Sequence, residues 1–234
     1  MAEQPRQYFD DYFGKKAEVL YRFDVRAMGR KDRRIVRALR EFGVTGKRCL
    51  DIGPGTGRWV QFLKREGAAY LAAADISPVC LGRCAPFCDA VRQVNIERED
   101  LPWDNQTFDV VLFFEIIEHL VDCGKAVAEI MRVLKPGGML LLSTPNLVSF
   151  ISRLRVLMGM LPVAIAGDPT HVRFYRRQEL AVAFAAYPAR LGFLSTSFSL
   201  HPLKPKSRLR CPSFGRLGAL DDSLLLHVLK DADE

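Results

Sequence analysis

The chain has 234 residues, a formal net charge of +7, 49% hydrophobic residues and 26% charged ones. This excludes a disordered or fibrous protein and allows a core that needs neither disulfides nor a structural metal. The charge is uneven: Lys and Arg outnumber Asp and Glu 13 to 7 over residues 1–50, trail 9 to 13 over 51–146, and lead 12 to 7 over 147–234, so basic flanks bracket an acidic middle, a pattern that fits either an anionic partner or two solvated basic faces.

Residues 4–22 and 31–42 read as helices, the second with Ile35, Leu39 and Phe42 on one side. Residues 47–52 form a first buried strand, followed by a helix over 57–66 and a second strand over 70–75. A helix over 78–90 leads to a third strand over 91–95. The run FDVVLFF, residues 108–114, is apolar on both faces and reads as a central strand. A helix over 123–134 is stopped by Lys135-Pro136-Gly137-Gly138, and a fifth strand follows over 139–144. Residues 147–158 and 177–187 look helical, and 193–200 and 223–230 look like late strands. The stretch 202–216, with basic residues among prolines, reads as a surface loop.

Strands alternating with helices imply a mostly parallel sheet, and no repeat or long linker divides the chain. The expectation is a single domain over 1–234: an N-terminal helical lid (1–46), a central core (47–146), and substrate-side helices with the last two strands (147–234). The N-terminus lacks the basic-then-apolar pattern of a signal peptide, and every apolar run falls short of the ~18 residues a spanning helix needs. A cytoplasmic protein, at most peripheral to a membrane, is expected. Cys80, Cys84 and Cys88 share a helix face, but C-x3-C-x3-C matches no cluster or zinc spacing, so they read as buried small residues.

The most informative stretch is LDIGPGTG, residues 50–57, a glycine-rich turn between a strand and a helix. Such a turn lets backbone approach a ligand at the carboxyl edge of a parallel sheet. Asp75 stands twenty residues beyond Gly55, where an acid can accept both hydroxyls of a ribose. A dinucleotide fingerprint would need glycine where Arg58 stands, and no Walker G-K-[ST] follows. Asp51 would repel a pyrophosphate but suits a ligand carrying a sulfonium or ammonium centre.

Together, LDIGPGTGRW, Asp75, LPWDNQTFDVVLFFEIIEHL and RVLKPGGMLLLSTPN resemble the class I S-adenosylmethionine-dependent methyltransferases, in their order and spacing over about residues 47–146. The resemblance implies an α/β, Rossmann-like doubly wound fold, a mostly parallel seven-stranded sheet with helices on both faces. It implies S-adenosyl-L-methionine as cofactor. Asp51, Gly53, Pro54, Gly55 and Gly57 match the loop under the methionine part, and Asp75 matches the ribose acid. Ile76, Asn95 and Ile96 match the adenine site, with asparagine where the family usually has aspartate. Phe114 and Glu115 match the segment near the methyl group.

For the chemistry, His119 is the candidate base and His171, in DPTHVRFY, a second acceptor-side candidate with Arg173 and Tyr175 nearby. This segment resembles the TH-x-x-F of small-molecule O-methyltransferases, including the ubiquinone-pathway branch. Glu115, Glu118 and His119 lie within one turn and could hold a divalent cation, but similar runs occur across the family without one, and no metal is assigned. Tyr8, Phe9, Tyr12 and Phe13 resemble a helix that lids the cofactor. Residues 147–166 mix apolar side chains with Arg153 and Arg155, which suits a cap over the site or peripheral membrane contact. No RNA-binding module is visible, which sets nucleic acid behind a small-molecule acceptor that is anionic, phenolic or lipid-linked. The expected function is methyl transfer to that acceptor, at a hydroxyl oxygen. The alternatives are a methyltransferase acting on RNA or protein, and a cofactor-binding subunit without catalysis.

Overall fold

The computed structural model describes residues 3–15, 28–194 and 222–232. Within them, α1 spans Glu3–Lys15, α2 Arg30–Phe42, β1 Arg48–Ile52, α3 Arg58–Arg65, β2 Tyr70–Asp75, α4 Pro78–Cys84, β3 Ala90–Gln93 and β4 Phe108–Phe114. Then come α5 at Gly124–Val133, β5 at Leu134–Pro145, α6 at Phe150–Leu157, α7 at Val163–Ala166, α8 at Arg177–Val182, β6 at Ala189–Leu194 and β7 at Ser223–Lys230. The seven strands form one sheet in the order β3-β2-β1-β4-β5-β7-β6. The first five run parallel, and β7 runs antiparallel to both β5 and β6. The order reverses between β1 and β4, where an open α/β sheet leaves a crevice at its carboxyl edge.

Alternation along the strands explains the two layers. Leu50, Ile52, Val111 and Phe113 pack on one face with Val127 and Ile130 of α5 and Leu180 of α8. Cys49, Val110 and Leu112 pack on the other with Ile35, Leu39, Phe62 and Leu63 of α2 and α3. Phe62, Phe108 and Phe113 are fully buried, and each contributes on the order of 2–3 kcal/mol of transfer free energy. The seven-stranded, two-faced sheet agrees with the expectation.

Several boundaries differ for local reasons. The helix expected over 78–90 ends at Cys84, passes through a 3-10 turn at Ala85–Phe87 and gives way to β3, because Pro86 cannot continue an α-helix. The Lys135–Gly138 segment stops α5 but belongs to β5, bulging where the register shifts between Phe108 and Val110. The late strand begins at Ala189 rather than at 193. Residues 16–22 of the first expected helix, 195–200 of that strand and the loop over 202–216 lie outside the described residues. Among the described residues, no helix is long and apolar enough to cross a membrane.

Candidate active site

The carboxyl ends of β1, β2 and β4 open on a cavity of about 1100 Å3. At one end the chain leaves β1 through Gly53, Gly55 and Gly57, with φ of +68°, +54° and +75°. Glycine alone takes this left-handed path without strain. A Cβ added to Gly53 would lie 2.2 Å from Ile116 Cδ1, so the loop also needs the missing side chain for space. The Gly57 N–H donates to the Pro54 carbonyl at 2.9 Å and closes the turn.

Two carboxyls flank this loop. Asp75 ends β2 and its Oδ1 accepts the Ser77 N–H at 2.8 Å. Burial pushes it up to about 6, against the N–H groups of Ser77, Gly55 and Ile76 that favour its charge. Asp51 is fully buried, and its Oδ2 finds no partner among the described residues. Burial and then the charge of Asp75 push its carboxyl well above the ordinary range. Buried acids with unmet hydrogen-bonding capacity suit a cationic ligand, whose charge would replace the missing partner.

Gly53, Gly55, Asp75 and Ile76 line the cavity, as do Asn95, Ile96, Phe114 and Glu115. Asp51, Pro54 and Gly57 are not among the lining residues; Gly57 backs onto the Cys84 side chain instead. Asn95 Oδ1 accepts the Glu97 N–H at 3.1 Å, so the carbonyl expected to meet adenine also holds its own turn. Cys84 is buried, and burial raises the thiols of Cys80, Cys84 and Cys88 far from reactivity.

The other end of the cavity begins where β4 ends. Glu115 adopts φ +56°, a costly position for a non-glycine residue. Its Oε1 accepts from Lys31 Nζ at 2.8 Å and from Ser143 Oγ at 2.6 Å. Burial opposes its charge, but Lys31 and Ser143 outweigh it and hold the carboxyl below its ordinary range. Glu118 and His119 follow in a 3-10 turn. Glu118 is buried; Thr144 Oγ1 donates to its Oε2 at 3.0 Å, while Oε1 has no hydrogen-bond partner among the described residues. Burial and then the Glu115 charge push it well above the carboxylate range. Burial also lowers His119, against hydrogen bonding to Thr170, so the imidazole is neutral at pH 7.

The segment from Asp168 to Arg173 folds over this turn, held by the N–H groups of Val172 and Arg173 on the Glu118 carbonyl at 2.9 and 3.0 Å. It brings the His171 ring centroid to 4.9 Å from that of His119 and His171 Nε2 to 4.0 Å from Glu118 Oε1. Both histidines line the cavity. Arg173 and Tyr175 do not: Arg173 Nε donates to the Val121 carbonyl at 2.8 Å, and Tyr175 is buried with its hydroxyl toward the Ile117 carbonyl. Ligand atoms of Glu118, His119 and His171 lie within 4.8 Å of one another and could hold a divalent cation. Glu115, placed with Glu118 and His119 in the sequence reading, is committed to Lys31 and is not in this trio.

Helix α1 covers the cavity. Tyr8, Phe9 and Tyr12 line it, and the Phe9 ring meets the His119 ring edge-on at 5.3 Å. The Phe13 side chain lies outside the described residues. Lys31, which the sequence did not single out, reaches Glu115 from the first turn of α2, and the adjacent Asp32 pairs with Arg58 at 2.5 Å. The only signal for them is an amphipathic helix with charged residues in its first turn. Nothing local shows what they face.

A methyltransferase-domain family profile matches residues 25–189. The chain is 30% identical over 178 residues to a demethylmenaquinone methyltransferase of Tropheryma whipplei, covering 69% of this chain and 72% of that one. The chain belongs to the class I S-adenosylmethionine-dependent methyltransferases. This methyltransferase is also 33% identical over 112 residues to a ubiquinone biosynthesis O-methyltransferase of Pseudomonas aeruginosa, covering 44% of this chain and 47% of that one. Of the curated relatives matched first, it spans at most 44% of the length. Its fold is that of a SAM dependent methyltransferase from Archaeoglobus fulgidus, with TM-score 0.62 at 16% identity over 86% of this chain and 95% of that one. The cofactor is S-adenosylmethionine. The orphaned Asp51 oxygen, the glycine loop and Asp75 fit a cationic nucleoside of that kind.

Proposed function

We propose that this methyltransferase methylates a hydroxyl oxygen of a small, largely apolar acceptor, phenolic in character and carried on a lipid-like body. The observation that carries the reading is a half-buried, neutral His119 in one cavity with the glycine loop. Asp75 would hold the cofactor's ribose, Gly53 and Gly55 would pass beneath its methionine part, and Ile76, Asn95 and Ile96 would flank the adenine. Glu115 would face its cationic end, and Asp51 would act on it from behind the glycine loop. When bound, S-adenosylmethionine supplies a methyl group on a positive sulfonium, open to in-line displacement. The protein aligns the acceptor oxygen and removes its proton, and a neutral imidazole is suited to take it near pH 7.

The apolar part of the acceptor would lie against Ile151, Val163, Ala164 and Val172, which line the same cavity. Beside it Leu157 is 84% exposed, with Met158 and Leu161 also exposed near Arg153 and Arg155. This favours a protein that is cytoplasmic yet able to touch an anionic membrane surface. The names of the two quinone-pathway relatives agree with such an acceptor. Incubation with S-adenosylmethionine labelled in its methyl group and a panel of prenylated phenols tests the reading. An ether carrying the label is expected; label only on carbon, on nitrogen, or on RNA or protein would overturn it. Flotation with anionic vesicles tests the surface, and absence of salt-sensitive binding would reject membrane contact.

A second reading rests on the Glu118, His119 and His171 trio. A divalent cation there would supply Lewis acidity toward an acceptor oxygen. Dialysis against a chelator followed by titration with Mn2+ or Zn2+ tests it: restored turnover favours the metal, and turnover unchanged by the chelator rejects it.

A further inference from the structure

His119 and Thr170 are 51 residues apart in sequence, yet His119 Nδ1 has two oxygens of Thr170 as neighbours: the carbonyl at 3.1 Å and Oγ1 at 3.0 Å. A carbonyl only accepts, so the ring nitrogen facing it must carry the proton. The Thr170 hydroxyl gives its single proton to Asp168 Oδ1 at 2.6 Å, and toward the ring it too can only accept. The same Asp168 oxygen accepts the Thr170 N–H at 2.8 Å, which fixes the turn presenting both Thr170 oxygens. Burial works against the Asp168 charge, but these bonds from Thr170 hold its carboxyl below the ordinary range. The carboxylate has no proton to return, so the chain has one direction: imidazole N–H to hydroxyl, hydroxyl to carboxylate.

We propose that Asp168 and Thr170 are positioning residues that lock His119 in the tautomer protonated on Nδ1, presenting Nε2 to the cavity as a proton acceptor. The usual preference of histidine in water is the opposite one, with the proton on Nε2, and a fixed partner on the other nitrogen decides the matter in a protein. His171 repeats the arrangement, with its Nδ1 2.7 Å from the Ala164 carbonyl. Helix α1 lies over the relay: Tyr8 interacts with Asp168, and Phe9 rests its ring against His119. The lid therefore touches both ends of the chain that orients the imidazole. The catalytic role of this lock rests on His119 acting as the base; the hydrogen-bonding chain does not.

Nitrogen-15 spectra of the histidine rings in the full chain, with His119 assigned by its loss in His119→Gln, read the tautomer directly at about pH 8.5, where imidazoles are neutral. Wild type is expected to show the proton on Nδ1. Asp168→Ala is expected to move it to Nε2 and lower kcat on the order of tenfold while the affinity for S-adenosylmethionine stays as in wild type. Asp168→Asn, whose Oδ1 still accepts from Thr170, should retain the tautomer and most of kcat. An Nε2–H tautomer in wild type overturns the proposal without any variant. So does Asp168→Ala with the wild-type tautomer, whether or not kcat falls. A shifted tautomer with unchanged kcat would leave the relay in place but remove His119 from the chemistry.

Discussion

At the glycine-loop end of the cavity the polar groups are two carboxyls pushed toward protonation by burial, Asp75 held by backbone N–H groups and Asp51 with one oxygen unpartnered among the described residues. At the histidine end the outward nitrogens of His119 and His171 already rest on protein carbonyls. A cationic ligand at the first end would favour the ionised form of these acids. The second is organised before any ligand arrives, because several segments hold one another there. Affinity for the cofactor and the rate of the chemical step should therefore respond to different residues.

The largest expected effect is at the histidine end. His119→Ala should lower kcat on the order of 100-fold while leaving cofactor affinity, measured by calorimetry, within about twofold. Unchanged kcat would mean that the base lies elsewhere. At the loop end, Asp75→Ala should weaken S-adenosylmethionine binding by about tenfold or more, with kcat at saturation much less affected. Equal affinity would break the cofactor assignment, and equal losses in both quantities would erase the contrast between the two ends.

The pH response of Asp75 sharpens the same division. Its carboxyl titrates about 6 in the folded chain, above the ordinary aspartate value of 3.8. The folded state thus holds this proton more tightly than the unfolded one. The stabilisation it brings is full below the ordinary value and is lost as pH rises to about 6. A ribose needs the ionised acid, so cofactor binding should tighten over that range, approaching tenfold between about pH 5 and 7. Calorimetry at the two values checks it, and Asp75→Asn should flatten the dependence. The smallest effect is expected from Gly53→Ala, about 1–2 kcal/mol of stability from its left-handed φ together with what it costs to move Ile116 away from the new Cβ. A thermal melt should show it, and Ile116→Val, by removing Cδ1, the nearer of the two Ile116 atoms, should restore part of the loss.

The loop end was legible in sequence because it is local. Gly53, Gly55 and Gly57 lie in one turn, and Asp75 follows at the distance one strand-helix-strand unit requires. The histidine end was legible only as residue types. His119 and His171 stood out as candidates, but Lys31 meets Glu115 across 84 positions and Thr170 meets His119 across 51. No periodicity encodes such contacts; they follow from the crossing of α2, the 117–119 turn and the 168–173 segment in the finished fold. Arg173 and Tyr175 show the converse, since proximity in sequence to His171 did not bring them to the cavity. Pro86 and the Lys135–Gly138 bulge displaced element ends for reasons visible in the residues themselves.

The antiparallel seventh strand has a consequence for how the molecule is made. Of the seven strands, β7 is the last to leave the ribosome, yet it sits inside the sheet, with β5 on one side and β6 on the other. Until residues 223–230 emerge, β6 has no strand to pair with and β5 offers an open edge along Met139–Pro145. A growing chain therefore passes through a stage in which this edge of the sheet is open to neighbours. Synthesis stalled in that window favours pairing between nascent chains, and this last segment is the one whose arrival ends the hazard.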